Sequence, residues 1–148
     1  MKTGPILIVD DSDAEMALTL RAIKKSGIKA DVMVAHNGPE ALDLLLGAVE
    51  SEERRERELP WIVLLDLRMP GIDGLEVLKR IRAEERTRRL PVIILSSSDE
   101  LSDVGACYDT GANSYIRKRI DILDFTETMR ILHTYWNITE RPPVPAKS

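Results

Sequence analysis

The stretch ILIVDDSDAEM, residues 6–16, runs four aliphatic residues directly into two adjacent aspartates, Asp10 and Asp11. Carboxylates avoid burial unless something pairs with them. An apolar run that ends in two like charges therefore needs an explanation elsewhere in the chain. Ile6–Val9 shows no polar alternation, as expected of a central strand in a parallel sheet covered on both faces. Trp61–Leu65 and Pro91–Leu95 repeat the pattern, and two weaker runs, Asp31–Ala35 and Ser114–Arg117, read as shorter or edge strands.

Helical spacing fills the intervals. Met16, Leu20 and Ile23 recur within Asp13–Ser26, and Gly27 follows as a stop. Asn37-Gly38-Pro39 opens a second helix, with Pro39 in the first turn, where its missing N–H costs nothing. The apolar set of that helix is Ala41, Leu42, Leu45 and Leu46. A third helix is predicted over Leu75–Glu85, with Leu75, Leu78 and Ile81 on one side. A fourth covers Leu101–Thr110 and stops at Gly111; a fifth covers Ile122–Tyr135, with Leu123, Met129 and Leu132 inward. Strict alternation of strand and helix demands right-handed crossovers and a parallel sheet with helices on both faces. Five strands fit the flavodoxin-like (βα)5 doubly wound α/β plan, strand order 2-1-3-4-5, whose sites lie at the carboxyl ends of the strands.

At 148 residues the chain is the size of one domain with a real core. Residues 1–136 are expected to form that domain and 137–148 a proline-rich tail, extended or mobile. The net charge of −4 gives no footing for a nucleic-acid or membrane-surface role. No apolar run approaches the roughly 20 residues needed to cross a bilayer, and the apolar part of MKTGPILIVDD is too short for a signal peptide. The single cysteine, Cys107, excludes an intrachain disulfide framework, favours a reducing cytoplasm and should pack as a small apolar residue. His36 and His133 stand too far apart, without a cysteine partner, to suggest zinc. The mixed-charge run Glu50–Glu58 reads as an exposed helix extension with i,i+4 pairs. Tyr135 and Trp136, in a chain with 4% aromatics, either cap the core or anchor a partner subunit.

The strand ends carry the chemistry. Asp10 and Asp11 follow the first strand, Asp66 the third, Ser96 the fourth and Lys118 the fifth. In a parallel sheet these ends share one edge, so the aspartates converge. Two unit charges about 4 Å apart repel by roughly 4 kcal/mol at an effective dielectric near 20. A cation must offset three of them, and hard oxygen ligands suit Mg²⁺; Lys118 offers a second offset. No Cys, His or base-activated Ser stands at these ends, which leaves a carboxylate as nucleophile. A carboxylate can attack a phosphoryl group to give an acyl phosphate. Phosphoryl transfer needs chiefly alignment and charge neutralisation, which Mg²⁺, the Lys118 ammonium and the Ser96 hydroxyl would supply.

LIVDDS, LLDLRMPGIDGLEVLKRIR, PVIILSSSD and GANSYIRK stand in the order and spacing of a known family. Over residues 4–135 the chain resembles the receiver domains of two-component response regulators. The resemblance implies Asp66 as phosphoacceptor, Asp11 as a direct Mg²⁺ ligand, Asp10 as a ligand through water and the main-chain carbonyl of Arg68 as a further one. It makes Ser96 the switch hydroxyl, Lys118 the family lysine and Tyr115 the aromatic that turns inward when Ser96 engages the phosphoryl group. Phosphorylation would then reshape the side formed by the fourth helix, fifth strand and fifth helix. The long connection before the third strand and the TYWNI…P ending look like small stand-alone regulators paired with phytochrome-type sensor histidine kinases, which tend to form homodimers through that side and the carboxyl-terminal region. Such a regulator, without an appended DNA-binding domain, acts by protein contacts or as a relay.

The chain departs from the family at Arg119, where proline usually follows the lysine, often after a cis peptide. A cis non-proline bond costs roughly 3 kcal/mol, against at most about 1 for X–Pro, so a trans bond and an altered loop into the fifth helix are expected. Arg68 could reach across the site mouth to phosphoryl oxygens, and with Ser98 it flanks the approach of water. Two other readings compete. A phosphohydrolase of the haloacid dehalogenase type needs a second acid two residues beyond its nucleophile, where Arg68 stands. A degenerate receiver would serve as an interaction module without phosphate; the intact acids and Lys118 oppose it, while Arg119 favours it.

Overall fold

The structure, a computed structural model, describes residues 4–47, 59–118 and 122–145. Strands β1 (Ile6–Val9), β2 (Val32–Ala35), β3 (Ile62–Asp66), β4 (Val92–Ser96) and β5 (Ser114–Arg117) form one parallel sheet in the order β2-β1-β3-β4-β5. Between and after them come α1 (Asp13–Lys25), α2 (Gly38–Leu46), α3 (Gly74–Ala83), α4 (Leu101–Thr110) and α5 (Ile122–Ile138). This is the doubly wound order expected from the alternation of apolar runs and helical spacing.

Side chains alternate across the sheet and divide the core in two. Leu7, Val9, Val63, Leu65, Val92 and Ile94 face α2, α3 and α4, where Leu42, Leu78 and Ile81 pack on them. Ile6, Ile8, Ile62, Leu64, Ile93 and Leu95 face α1 and α5, against Met16, Ile23, Phe125 and Met129. Each fully buried aliphatic side chain stabilises the fold by about 1.5–3 kcal/mol, so a sheet covered on both faces can carry a costly edge. Cys107 is fully buried in the first cluster, and burial pushes its thiol up, as suits an unreactive packing residue.

The register decides what meets at that edge. Val9 pairs with Leu65, Asp66 with Leu95, and Ser96 with Arg117. Asp10 therefore emerges beside Asp66, and Lys118 emerges next to Ser96. β3 and β4 each end one residue later than the apolar runs predict. A polar side chain ends an apolar run, but the backbone ladder does not depend on side-chain polarity and continues through it.

The helix starts follow their caps. Ser12 accepts from the Glu15 amide at 3.2 Å, Asn37 from Glu40 at 2.7 Å and Asp73 from Glu76 at 3.0 Å. α3 stops at Ala83, short of the expected Glu85, and α5 runs past Tyr135 to Ile138. Of Tyr135 and Trp136, the second takes the core-capping role. Trp136 packs against the second core cluster, whereas Tyr135 is 54% exposed and meets the Trp136 ring edge-on at 5.5 Å. Residues 140–145 form no regular element and are seated on the body: Arg141 donates to the Leu59 carbonyl at 3.4 Å and lies over the Trp61 ring. The Glu50–Glu58 run, Arg119 and the Leu123 side chain lie outside the described residues.

One staple was not evident from sequence. The half-buried Arg82 guanidinium donates to the Leu90 carbonyl at 2.7 Å, the Gly111 carbonyl at 2.9 Å and Asn113 Oδ1 at 2.9 Å. Asn113 Oδ1 also accepts from the Val92 amide at 2.8 Å. One side chain thus ties the turns after α3 and α4 to the start of β4. Arg82→Ala leaves several acceptors without a donor and should cost about 2–4 kcal/mol in urea unfolding. Arg82→Lys should not restore it, because an ammonium lacks the planar fork.

Candidate functional site

At the carboxyl edge of the sheet Asp10 is 2% exposed and Asp66 7%. The Lys118 ammonium holds them together, donating to Asp10 Oδ2 at 2.7 Å, to Glu15 Oε2 at 3.1 Å and to Asp66 Oδ1 at 3.2 Å. Asp10 Oδ1 also accepts from the Ser12 amide at 3.0 Å, which fixes the carboxylate as the chain turns into α1. Ser96, 1% exposed at the end of β4, accepts at Oγ from the Ser98 amide at 3.1 Å, and its carbonyl accepts from the Lys118 amide at 2.8 Å. The structure thus gathers Asp10, Asp66, Ser96 and Lys118, four of the expected site residues.

The turn after β3 is built to keep Asp66 in place. Leu67 and Met69 are buried on either side of the exposed Arg68 and anchor the loop. Pro70-Gly71 turns it, with Gly71 at φ 76°, a conformation glycine adopts freely. Gly74 then passes so close to β3 that a Cβ there would lie 2.2 Å from the Asp66 carbonyl oxygen. Only glycine lets α3 begin against the strand end.

Burial sets the electrostatics first. It pushes the Asp66 carboxyl up to about 6; Lys118 pulls it down, and the Asp10 and Glu15 charges push it up. For Lys118 burial works toward a lower value, but the hydrogen bond to Asp10 and the charge of Asp66 carry it above its ordinary range. Among the described residues, the acidic oxygens that come within 4.8 Å of one another belong to Asp10, Glu15 and Asp66, a spacing that suits a divalent cation. Asp11 is exposed beside this group and outside it.

Glu15 is the member that sequence reasoning missed. An acid in the first turn of a helix already has a reason to be there, the positive end of the helix dipole. Its only signal was its place one turn beyond Asp11, on the helix that leaves the acidic edge.

Arg68 does not extend over the acids. Its Nη2 pairs with Asp103 Oδ2 of α4 at 2.5 Å, and Ser98 Oγ donates to the same oxygen at 2.6 Å. The Ser98 bond, then Arg68, holds the Asp103 carboxyl below the usual carboxylate range. Tyr115 is half-buried against the first core cluster, and its hydroxyl donates to the Ser98 carbonyl at 2.9 Å. The Tyr115 amide in turn donates to the Tyr108 hydroxyl at 3.2 Å. Loop 96–98, α4 and β5 therefore form one bonded set beside the acids.

A buried acid pocket closed by a lysine, at the carboxyl edge of a doubly wound sheet, is the setting of a phosphoryl-accepting signalling module. The family comparison agrees: the chain belongs to the response regulator receiver domain family, whose model matches residues 6–130. It is 37% identical over 95% of its length, and 88% of the relative, to the probable methanogenesis regulatory protein FilR2 of Methanothrix harundinacea. It is 31% identical to the response regulator Rcp1 of Synechocystis, covering 88% of this chain and 87% of Rcp1. The crystal structure of the Mn²⁺-bound form of Rcp1 superposes with a TM-score of 0.77 over 96% of this chain and 99% of that one, at 30% identity. That of the phosphorylated cyanobacterial phytochrome response regulator RcpA gives 0.81 over 97% and 99%, at 28% identity. Receiver domains bind a divalent metal at this acidic pocket, and the residues here fit one. Among the described residues no helix is long and apolar enough to cross a membrane.

A buried acid whose native pKa lies above its unfolded value binds its proton more tightly when folded. Its contribution is favourable below pH 3.8 and is lost as pH rises toward about 6. Without divalent metal, Asp66→Asn should therefore raise stability by about 1–3 kcal/mol at pH 7 and by little at pH 4. Urea unfolding of both proteins at the two pH values measures this.

Proposed function

We propose that the chain is the phosphoacceptor of a two-component relay, with Asp66 as the residue modified. The observation that carries this reading is the convergence of Asp66, Asp10 and Lys118, held by hydrogen bonds of 2.7 and 3.2 Å at one sheet edge. An Asp66 Oδ oxygen attacks the phosphorus of a phosphohistidine on a sensor kinase. The O–P bond forms as the P–N bond breaks, and the electron pair stays on the imidazole nitrogen, which takes up a proton. Lys118 already faces an Asp66 oxygen and turns its ammonium to the arriving phosphoryl oxygens; Ser96 supplies a hydroxyl at the adjacent strand end.

Asp10, Asp11 and Asp66, with the Arg68 carbonyl, would hold Mg²⁺, which supplies neutralisation of the phosphoryl charge when bound. Glu15 shares the Lys118 ammonium with Asp10 and Asp66. The chain assists its own phosphorylation and dephosphorylation and turns over no separate substrate. Phosphorylation is read out through Ser96 and Tyr115. Engagement of the Ser96 hydroxyl draws on loop 96–98, and the Tyr115 hydroxyl follows the Ser98 carbonyl to which it is bound.

The receiver unit is residues 1–136, followed by the tail 137–148, with the end of α5 carrying across that boundary to Ile138. Its kinase is of the phytochrome type, a pairing supported by the similarity to RcpA, and it acts in the cytoplasm without nucleic acid or membrane. A homodimer forms through α4, β5 and α5 with the carboxyl-terminal region. Leu101 of α4 is 82% exposed, and Ile131 and Ile138 of α5 are 61% and 78% exposed, which supports that face.

Acetyl phosphate with Mg²⁺ should add the mass of one phosphoryl group to the wild type and none to Asp66→Ala. Labelling of both, or of neither, would overturn the assignment. Steady hydrolysis of phosphate esters would favour a hydrolase instead. Arg68 and Ser98 meet on Asp103 beside the path of attacking water. An Arg68→Ala, Ser98→Ala double variant should change the lifetime of the phosphoryl group several-fold, and equal decay in mass spectrometry would dispose of that role.

A further inference from the structure

At the opposite, amino-terminal edge of the sheet lies a cavity of about 210 Å³. The first residues of β1 and β3, Ile6 and Ile62, form its floor, and Ile23 of α1 with Met129 and Leu132 of α5 its apolar walls. Pro142 of the seated tail closes one side. Three lining residues each carry a buried polar atom with no hydrogen-bond partner: Trp61 Nε1, Trp136 Nε1 and Thr139 Oγ1. Buried polar groups in folded proteins are almost always paired, and a donor left without a partner costs about 1–3 kcal/mol.

The chemistry of these atoms defines what is missing. An indole N–H donates and cannot accept, so both tryptophans require an acceptor. The lining residues include no Asp or Glu to provide one. The tryptophans are also held ready. The Trp61 indole lies against Gly4, where a Cβ would come within 2.2 Å of Nε1, and the Arg141 guanidinium covers its ring at 5.1 Å. Trp136 is fixed by the edge-on Tyr135 ring. Engineered apolar cavities of about 150 Å³ take up benzene, so this one admits a compound of one or two rings. The Arg141 guanidinium in the lining is engaged with the Trp61 ring and the Leu59 carbonyl, and α5 ends at Ile138 beside the cavity, where the partial negative charge of a helix carboxyl end disfavours an anion.

We propose that this cavity binds a small, neutral, ring-bearing carbonyl compound, its ring against the aliphatic walls and its oxygen accepting from the indole and hydroxyl donors. The site lies apart from Asp66, and the inference does not rest on the phosphoacceptor reading.

The chain has two tryptophans, and both line the cavity, so their indole N–H signals in nitrogen-15-labelled full-length protein report on it directly. Acetophenone is titrated against ethylbenzene, which has similar shape and no acceptor. The expected result is saturable downfield movement of the indole proton signals by the ketone, with affinity about tenfold above the hydrocarbon. In Thr139→Val, which keeps shape while removing a donor, and in Trp136→Phe, which removes a donor and part of the ring, that preference should shrink several-fold with unchanged circular dichroism. Equal affinity for the two probes, an adventitious additive only, would overturn the proposal. So would the absence of saturable shifts in the wild type, which would mean that water satisfies these donors; neither outcome depends on the variants folding.

Discussion

The Lys118 ammonium is the contact on which the functional edge depends. Asp10 and Asp66 are both nearly inaccessible to solvent, and neither could stay charged there alone. One ammonium within 3.2 Å of each, with Glu15 as a third acceptor, lets the acids coexist in a sheet edge that is otherwise aliphatic. The arrangement is costly even so, since burial still lifts the Asp66 carboxyl to about 6. A pocket of this kind favours any added cation or any chemistry that redistributes the negative charge.

The rest of the fold supplies the rigidity that such an edge requires. Six aliphatic side chains on each sheet face are packed under helices, and the parallel register places each strand end within reach of its neighbours. The close approach of Gly74 to the Asp66 carbonyl and the burial of Leu67 and Met69 leave the acid little freedom to move. Arg82 does similar work on the far side of α3, where the turns after α3 and α4 converge on one guanidinium. Binding energy at the edge is thus spent on phosphoryl chemistry and not on assembling the site.

The bonded set of Arg68, Asp103, Ser98 and Tyr115 connects that chemistry to the surface. Ser96 and Ser98 share a loop, Asp103 begins α4, and Tyr115 lies in β5. Hydrogen bonds therefore link the Ser96 loop to both α4 and β5. Leu101 of α4 and Ile131 and Ile138 of α5 are apolar and exposed.

Local pattern was enough for much of this protein. Unalternated Val, Ile and Leu runs, helical spacing and glycine or asparagine punctuation located the five strands and the described helices within a few residues. Acids or a lysine at the strand ends marked the edge, because the fold rule that brings parallel strand ends together needs no coordinates. Contacts between long side chains were not legible, since they depend on rotamers and register. Glu15 joined the lysine, Arg68 turned away to Asp103, and Arg82 found acceptors 29 to 31 residues distant as well as nearby ones. The amino-terminal cavity was equally hidden: Trp61 is far in the chain from Trp136 and Thr139, and only the packing of α5 against the sheet brings their donors to one apolar space. Periodicity is a property of neighbouring residues and survives in the sequence, whereas the partner of a flexible polar side chain is chosen by geometry that exists only once the chain has folded.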